Sequence, residues 1–516
     1  MEFVSDPSIA TKIDKMKQRV RWREAAVVER NIDQTRLAID DGAAESPEFS
    51  FLAIGDSGTG TRYGQSPQRE VAKLLLEQRD RCRFLLHTGD VIYLVGSSEY
   101  YPPNFIEPYR EFLVGGEHPD RIAYDRMTFN FPFLPVPGNH DYYDLPFIYG
   151  LAAQLTWPLR RLLRSRIDLD VGWHGSKQGD AYARAFLDYL QGFNLPGQLE
   201  RHLDQYYTAK TPAGNCLRYR PSSFTRLPNR YYTFRYGGID FFALDSNTFN
   251  SPAPLPDTKE GELLRRRLEA RLEELERQQQ RIMEASATLD PDNREQAEEL
   301  DDNRAKLEQL EESQNDIQMQ LRADKKVVTD FEQLAWLKQN LIESWQTQEV
   351  RGRVLFFHHP PYVTEATKWY QAQTMEIRFH LRQVFEAVAE AVGKSRNGRP
   401  VVDLVLNGHA HCLEYLRAEE TGRADSGIRW LVCGGSGYSL RRQRTEGADL
   451  MESGELVARS HFFLGRHGRG KEKRRPYSAV RIDVKAGTPP QFIFQPLALE
   501  RQRHQWQRCD FEAMSL

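Results

Sequence analysis

Short apolar runs recur along most of this chain, separated by stretches of helical periodicity and by polar loops. Runs of this kind between helical patterns indicate buried strands of a sheet that helices cover. In such sheets, ligands bind where loops leave the strand ends. The pattern therefore predicts an α/β (α+β) fold with strands at 49–54, 84–86, 133–136, 239–244, 354–357, 401–406 and 430–432, and two more near 477–484 and 491–499.

A different pattern occupies residues 257–327. Leucine and isoleucine recur there at steps of three and four residues, among glutamate and arginine, on both sides of a break at "LDPDN". Heptad-like seams joined through a proline indicate an inserted antiparallel coiled-coil hairpin. Arms of about 27 residues would project about 40 Å. We expect an arm or spacer for a protein partner or for self-association, because its residues show no metal-ligand pattern.

The rest of the chain divides around this hairpin. We expect a main domain at 47–500, preceded by charged helices at 1–46 that lie on its surface and followed by a tail at 501–516. A second insert, at 145–225, shows mostly helical periodicity. A basic loop at 465–476, "GRHGRGKEKRRP", leaves two interpretations open: a solvated loop, or a rim that attracts anions to a phosphate site.

Composition narrows the class of protein. The 516 residues are 40% hydrophobic and 28% charged, with a formal net charge of −3, which is typical of a soluble globular protein and not of a general nucleic-acid binder. The five cysteines form no CxxC pair, which argues against a disulfide framework or a zinc–thiolate site and favours a reducing compartment. We expect a cytoplasmic protein, because neither a signal peptide nor an apolar run of membrane-spanning length is evident.

Five of the predicted strand ends carry side chains that can bind metal ions. Carboxylate, amide and imidazole groups are oxygen and nitrogen donors for first-row metals, and the glycines beside them allow tight turns. One such loop is weak evidence, whereas five in series predict a metal site. The candidates are Asp56 in "GDSG", Asp90 and Tyr93 in "GDVIY", Asn139 and His140 in "GNHD", His358 and His359 in "HHPPY", and His409 and His411 in "GHAH".

The series GD, GDxxY, GNHD, HxPxY and GHxH resembles the calcineurin-like metallophosphoesterase superfamily. Three details make it similar to the purple acid phosphatases of tartrate-resistant type: the first motif is GDSG, Tyr93 follows Asp90 by three residues, and "GHAHCLEYL" leads into "WLVCGGSG". The resemblance covers 49–144, 226–250 and 328–440. It implies a four-layer αββα sandwich and hydrolysis of phosphomonoesters by attack of a metal-bound hydroxide.

The resemblance also implies roles for the candidate residues. Asp90 would bridge two metals, and His140 would face the substrate, where it would orient the phosphate or protonate the leaving alkoxide. Asp141 would hydrogen-bond His140 or cap the next helix. The first metal, ferric, would be held by Asp56, Asp90, Tyr93 and His411, and the second, iron, zinc or manganese, by Asp90, Asn139, His358 and His409.

The chain departs from the family pattern at three places. Ser57 stands where the family has tryptophan. Val91 stands where it has asparagine, which removes a polar neighbour of the metal ligands. The family's second proton-donating histidine has no counterpart in "VTEATKWYQAQ". Either His359, Lys368 or Tyr370 would then take its place, or the leaving group would need little help.

Two other functions stay open. The same site would suit a phosphodiester or a nucleotide, with the insert at 145–225 selecting larger substrates. Alternatively, the chain is a scaffold that acts through its hairpin. Turnover of bis- against mono-nitrophenyl phosphate separates the first alternative from a phosphomonoesterase. Removal of residues 258–326 tests the scaffold alternative, because an enzyme whose hairpin is only an arm should stay active without it.

Overall fold

The strands of the protein form two sheets. The computed structural model describes residues 5–60, 66–145, 175–212, 214–290, 293–323, 328–468, 472–502 and 505–516. The strands within them are β1 (Ile32–Ile39), β2 (Phe49–Ile54), β3 (Leu85–His87), β4 (Phe133–Pro135), β5 (Ala209–Thr211), β6 (Gly214–Tyr219), β7 (Tyr232–Tyr236), β8 (Ile239–Ala243), β9 (Gly352–Phe357), β10 (Leu404–Asn407), β11 (Leu413–Ala418), β12 (Arg429–Cys433), β13 (Asp449–Glu452), β14 (Glu455–Leu464), β15 (Arg475–Val484), β16 (Phe492–Gln502), β17 (Gln505–Cys509) and β18 (Met514–Ser515).

Helices surround these sheets. The α-helices in the described ranges are α1 (Ile9–Arg19), α2 (Ala25–Glu29), α3 (Pro67–Gln78), α4 (Asp180–Phe186), α5 (Gln198–Tyr206), α6 (Lys259–Ser286), α7 (Arg294–Arg322), α8 (Phe331–Gln346) and α9 (Ala372–Val392). Short 3₁₀ or π turns lie at Arg79–Arg81, Ser98–Tyr100, Pro102–Ile106, Arg110–Phe112, Pro119–Arg121, Tyr124–Arg126, Leu190–Gly192, Ser246–Thr248 and Gly393–Arg396.

The larger sheet has parallel strands at its centre, and the smaller sheet has them at one edge. The larger sheet has the order β13-β14-β11-β12-β10-β9-β8-β7-β1-β6-β5, and the smaller has the order β17-β16-β15-β2-β3-β4 with β18 beside β16. Strands β2, β3 and β4 are parallel neighbours, and so are β8, β9, β10 and β12. The loops after parallel strands leave from the same sheet edge, so the loops that carry the candidate ligands converge.

The two sheets pack face to face around an apolar core. Phe51 of β2 contacts Phe241 of β8, with 5.5 Å between ring centroids. Helix α3 packs on β15 and β16 of the smaller sheet, while α8 and α9 pack on the larger sheet through side chains such as Leu337 and Phe385. The predicted mixed α/β fold is confirmed, with helix, sheet, sheet and helix as its successive layers.

Segments outside the predicted strands also enter the sheets. The 1–46 segment contains α1 and α2, but β1 then pairs with β6 and β7 inside the larger sheet. Helix α1 does not simply lie on the surface, since Met16 and the following Val20 are fully buried. The tail after 501 forms β17 and β18 against β16.

The insert at 145–225 is not mostly helical in its described part. Helices α4 and α5 are followed there by β5 and β6, which extend the larger sheet. Residues 146–174 of this insert, which include its basic helical pattern, lie outside the described residues. The added strands explain the difference, because a short edge strand carries too few apolar positions to be recognised from its pattern.

The segment 257–327 forms two helices, α6 and α7, that lie side by side. Arg265 Nη1 donates to Leu321 O at 3.4 Å, and Gln314 Nε2 donates to Gln279 Oε1 at 3.2 Å, so the helices run antiparallel. The supercoil of the predicted coiled coil stays a prediction.

All five cysteines lie among the described residues, and none forms a disulfide. Cys82, Cys216, Cys412 and Cys433 are buried, where a thiol packs as a small apolar group. In the same ranges, no helix combines the length and the apolarity that a bilayer span requires.

Candidate metal centre

Two carboxylates stand at the adjoining ends of parallel strands. Asp56 follows β2 and Asp90 follows β3, and both are buried with a left-handed backbone, at φ 56° and 55°. A Cβ on Gly138 would lie 2.1 Å from Asp90 Oδ1, and a Cβ on Gly408 would lie 2.7 Å from Asp56 Oδ2. The motif glycines therefore let neighbouring loops approach these carboxylates closely, as the amide of His409 does at 2.9 Å from Asp56 Oδ2.

The phenol of Tyr93 joins the two carboxylates. Its Oη lies 2.8 Å from both Asp56 Oδ1 and Asp90 Oδ2, and 3.3 Å from His411 Nε2. Burial raises the pKa of Tyr93 well above its ordinary value, and the two carboxylates raise it further because they disfavour a phenolate. The ring of Tyr93 stacks on Tyr438 with 3.7 Å between centroids, which holds the hydroxyl in place.

Main-chain carbonyl groups orient two of the candidate histidines. His358 Nδ1 lies 2.9 Å from Thr88 O, and His411 Nδ1 lies 2.8 Å from Ser439 O. Their Nε2 atoms therefore face the carboxylates, with His358 Nε2 at 3.3 Å from Asp90 Oδ2. Burial lowers the pKa of His358, but the Asp90 carboxylate outweighs it and raises that pKa to about 9. The centre thus favours a positive charge beside Asp90.

The candidate ligands form two overlapping groups. Within each group the potential ligand atoms lie within 4.8 Å of one another, and all the residues are buried. Asn139 joins them, with its Oδ1 at 2.9 Å from His358 Nε2. The groups are Asp56, Asp90 and His358, and His358, His359 and His409.

His359 has a nitrogen that faces into this centre without a partner. Its Nδ1 lies 2.8 Å from the hydroxyl of Ser246, at the end of β8. Its Nε2 is buried and makes no hydrogen bond to any residue that the structure describes. Burial also lowers the pKa of His359 well below its ordinary value, so the ring is neutral. A neutral, buried imidazole nitrogen of this kind is a donor for a metal ion.

His140 stands at the edge of the centre. Its main-chain amide donates to Asp90 Oδ1 at 2.9 Å, and its Nδ1 contacts the carbonyl of Leu94. Its Nε2 lies 4.0 Å from Asp90 Oδ2, and the side chain is 12% exposed. The ring therefore lies between the carboxylates and an adjoining cavity, where a substrate would be placed.

Asp141 has a different place from the one expected. In the described residues its carboxylate contacts neither the His140 ring nor a helix end. Burial and the nearby Asp90 carboxylate raise the pKa of Asp141 to about 7. The Asp141 carboxylate accepts hydrogen bonds from the backbone amides of Gly138, Val91 and Ile92. Asp141 therefore links the loop that carries Asp90 to the loop that carries Asn139.

Of the three side chains considered in place of the absent histidine, two reach the centre. His359 belongs to the imidazole group, and Lys368, which is fully buried, places its Nζ 3.0 Å from His409 Nε2. Tyr370 does not reach it, because its side chain is exposed and its ring lies under the guanidinium of Arg444. Lys368 therefore places a positive charge beside the candidate ligand His409.

The second hairpin helix, α7, lies over the centre. Glu312 accepts hydrogen bonds from Lys368 Nζ at 2.7 Å and from Arg441 Nη2 at 3.3 Å. Glu308 accepts one from the hydroxyl of Tyr438 at 2.7 Å. Burial disfavours the charged form of Glu312, but the two cations outweigh it and hold the pKa of Glu312 well below its ordinary value. The expectation of a projecting arm with no place in the site is wrong for α7.

Two further carboxylates fasten α7 to the domain. Asp316 accepts hydrogen bonds from the amides of Ala372 and Gln373 at 2.9 and 3.2 Å, so it caps the first turn of α9. Asp302 pairs with Arg466, Lys473 and Arg475 of the basic loop at 465–476. The described part of that loop therefore anchors α7 and is not wholly solvated, whereas its role as a rim that attracts anions stays a prediction.

Two cavities open beside the candidate ligands. One, of about 290 Å³, adjoins Asn139 and His409, and its other walls include Asp6 before α1 and Asp316 of α7. A smaller one, of about 70 Å³, adjoins His140. The larger cavity therefore lies between the N-terminal segment and α7, two elements that the sequence pattern placed outside the site.

Five residues that contribute to this site were not predicted from the sequence. Glu308, Glu312 and Asp316 recur at steps of four residues along one face of α7, and this acidic stripe could have been recognised. Ser246 follows β8 in "ALDSN", the same placement after a strand that identified the other candidates. Tyr438 follows a glycine-rich loop and carries no signal of this kind.

Comparisons with known proteins find similar structures only. No protein-family model and no curated protein matches the chain. It is similar to the purple acid phosphatase PPD1 of yellow lupin (Lupinus luteus), with a TM-score of 0.38 and 12% identity, over 91% of this chain and 54% of that one. It is also similar to PhoD, with a TM-score of 0.40 and 13% identity, over 91% of this chain and 73% of that one. A third similar structure is GAP50, the anchor in the inner membrane complex of Plasmodium, with a TM-score of 0.34 and 11% identity, over 90% of this chain and 89% of that one. The chain thus spans about half the length of the lupin protein.

Proposed function

We propose that this chain is a metal-dependent phosphoesterase of the calcineurin-like type that hydrolyses phosphomonoesters. The observation that carries the proposal is the convergence of five strand-end loops, whose oxygen and nitrogen donors meet in buried clusters. Burying polar groups is unfavourable unless they are paired or bind a metal ion, and His359 Nε2 has no partner among the described residues. This argues for an enzyme with an intact site over a scaffold that acts only through its hairpin.

The donor set fits metal ions. His359 Nε2 has no hydrogen-bond partner in the part of the chain that the structure describes, so it is available as a ligand atom. The Asp90 carboxylate raises the pKa of His358, which shows that this buried cluster favours a positive charge, as a metal ion would supply. A trivalent iron suits the position beside Tyr93, because a hard, highly charged ion would hold the phenolate that burial otherwise disfavours. The first position is formed by Asp56, Asp90, Tyr93 and His411. The second, for iron, zinc or manganese, is formed by Asp90, Asn139, His358 and His409, with His359 of the same buried group as a further available donor.

The chain's own residues would bind and orient the phosphate. Two ions at these positions would supply an activated water and clamp the attacking and leaving oxygens of the phosphoryl group. His140 Nε2 is placed to orient the phosphate or to hold the proton that the leaving alkoxide takes. Lys368 Nζ adds a positive charge beside His409. The N-terminal segment and α7 would exclude bulk water from the reacting atoms.

Phosphate release tests this function directly. Purified, metal-replete protein is expected to release phosphate from a broad panel of phosphomonoesters, and to turn over mono-nitrophenyl phosphate faster than the bis-ester. Absence of release from every ester contradicts the proposal. Faster turnover of the bis-ester would move the assignment to a phosphodiesterase with the same site.

The visible spectrum tests the iron assignment. Freshly purified, oxidised protein is expected to be purple, because a Tyr93 phenolate bound to ferric iron absorbs visible light by charge transfer. The Tyr93→Phe variant should lose this band, whereas Tyr370→Phe, at an exposed tyrosine outside the centre, should keep it. A colourless protein that nevertheless contains metal would exclude ferric iron at Tyr93 and favour manganese or zinc.

A further inference from the structure

Besides the two cavities at the metal centre, the protein has a cleft beside α7 that lies away from the candidate ligands. It has a volume of about 590 Å³ and is bounded by α7 and by the loop at 440–446. Main-chain hydrogen bonds hold this loop in place: Ala366 N donates to Arg442 O at 3.1 Å, and Arg444 N donates to Thr364 O at 2.8 Å. None of the candidate metal ligands lines the cleft where the structure describes its walls.

Positive charge dominates the walls of this cleft. Of the two acidic residues that line it, Asp302 is already paired with three cations, and Glu446, 60% exposed, pairs with Arg444 Nε at 3.5 Å. Glu312 of α7 also pairs with Arg441, but the six cations that line the cleft outnumber these three carboxylates, so an excess of positive charge remains. The cations that line it are Lys306, Arg441, Arg442, Arg444, Arg466 and Lys473.

Two of these arginines have donors that the protein leaves unused. The side chain of Arg444 is 7% exposed, and that of Arg441 is 3% exposed. Arg444 Nη1 and Arg441 Nε are buried and find no hydrogen-bond partner among the described residues. An unpaired, buried guanidinium donor is costly, so an acceptor from outside the chain would stabilise this arrangement.

We propose that this cleft binds a small ligand that carries two or more phosphate groups. The planar fork of an arginine matches two phosphate oxygens, which makes arginine clusters typical of phosphate sites. The cleft lies within the range of about 300–1,000 Å³ found for small-molecule sites, and is larger than one phosphate requires. Binding there does not depend on the proposed hydrolysis, because the cleft and the metal centre use different residues.

Calorimetric titration with methylenebisphosphonate, a diphosphate analogue that resists hydrolysis, tests the proposal. The full chain is expected to bind it at about 0.15 M salt, where long-range surface attraction is screened. The Arg442→Gln/Arg444→Gln variant should weaken this binding about tenfold or more, because it removes two charge-assisted donors. Asp90→Asn should leave cleft binding unchanged, which separates the cleft from the metal centre.

A matched double variant controls for net charge. Arg423→Gln/Arg459→Gln removes the same two charges from exposed pairs with Glu386 and Asp449, outside the cleft, and should bind as the unmodified chain does. If the cleft double variant does not fold, Arg444→Lys keeps the charge without the fork and should still weaken binding. No binding by the unmodified chain, undiminished binding by the cleft variants, or equal loss in the control would overturn the proposal.

Discussion

Replacing Asp90 with asparagine is expected to abolish phosphoester hydrolysis and to lower the metal content of the purified protein. Asp90 Oδ2 lies 2.8 Å from Tyr93 Oη and 3.3 Å from His358 Nε2, between the two proposed metal positions. The substitution replaces an anionic oxygen with a neutral amide at both positions. We expect kcat/KM to fall by about a thousandfold or more, as when an essential part of a catalytic unit is removed. Phosphate release and metal analysis measure the two effects.

Two matched variants separate loss of metal from loss of chemistry. His140→Ala should retain metal while turnover falls by roughly 10²–10⁴-fold, the usual contribution of one acid–base group. Asp449→Asn breaks only an exposed pair with Arg459 and should change neither quantity. Retained activity in Asp90→Asn would contradict the proposal that Asp90 bridges the two metals. Loss of metal in His140→Ala would contradict the proposal that His140 contacts the substrate and does not bind metal.

Replacing Glu312 with alanine is expected to lower the free energy of unfolding by about 3–5 kcal/mol, the cost of leaving a buried charge without its partner. The Glu312 side chain is 19% exposed and lies between Lys368, 1% exposed, and Arg441, 3% exposed. Without this carboxylate, the buried cations Lys368 and Arg441 lose the anion that lies between them. Denaturant unfolding measures the loss of stability, and phosphate release should fall as Lys368 loses its fixed position.

The first hairpin helix supplies the control for this variant. Glu273→Ala changes the same residue type on α6, where the side chain is 72% exposed and pairs with the exposed Arg277. We expect its free energy of unfolding to change by less than about 0.5 kcal/mol, as for an exposed ion pair. Equal effects of the two variants would show that the contacts of α7 do not hold it on the domain.

The same contacts change the expectation for a chain that lacks the hairpin. From sequence alone, removal of 258–326 was expected to leave an enzyme active. That removal takes away Glu312, which neutralises Lys368 and Arg441, and Asp316, which caps α9. A wall of the cavity beside the candidate ligands would also be lost, so the hairpin is no longer separable from the site.

Much of the fold and most of the candidate ligands could be predicted because their signals are local. Strands such as β2 and β9 are short apolar runs, and the residue that follows each strand end is fixed in space by the strand itself. Asp56, Asp90 and His358 follow β2, β3 and β9, so they can be identified as candidate ligands from the sequence alone. The helices of the hairpin were predicted for a similar reason, since a seam of leucines at three- and four-residue steps needs only the sequence of its own helix.

The sequence determined which residues could bind metal and where the strands end, whereas the tertiary structure decided what covers that centre. The carboxylates of α7 recur every four residues, and a helix that faces solvent can show the same spacing. The spacing alone therefore does not predict which residues pack against that face of α7. Asp302 and Glu312 acquire their roles only when segments more than fifty residues away, at 368, 441 and 466–475, are brought against them. Asp141 likewise binds the 91–92 loop instead of its neighbour, since folding brings backbone amides that need an acceptor to its side.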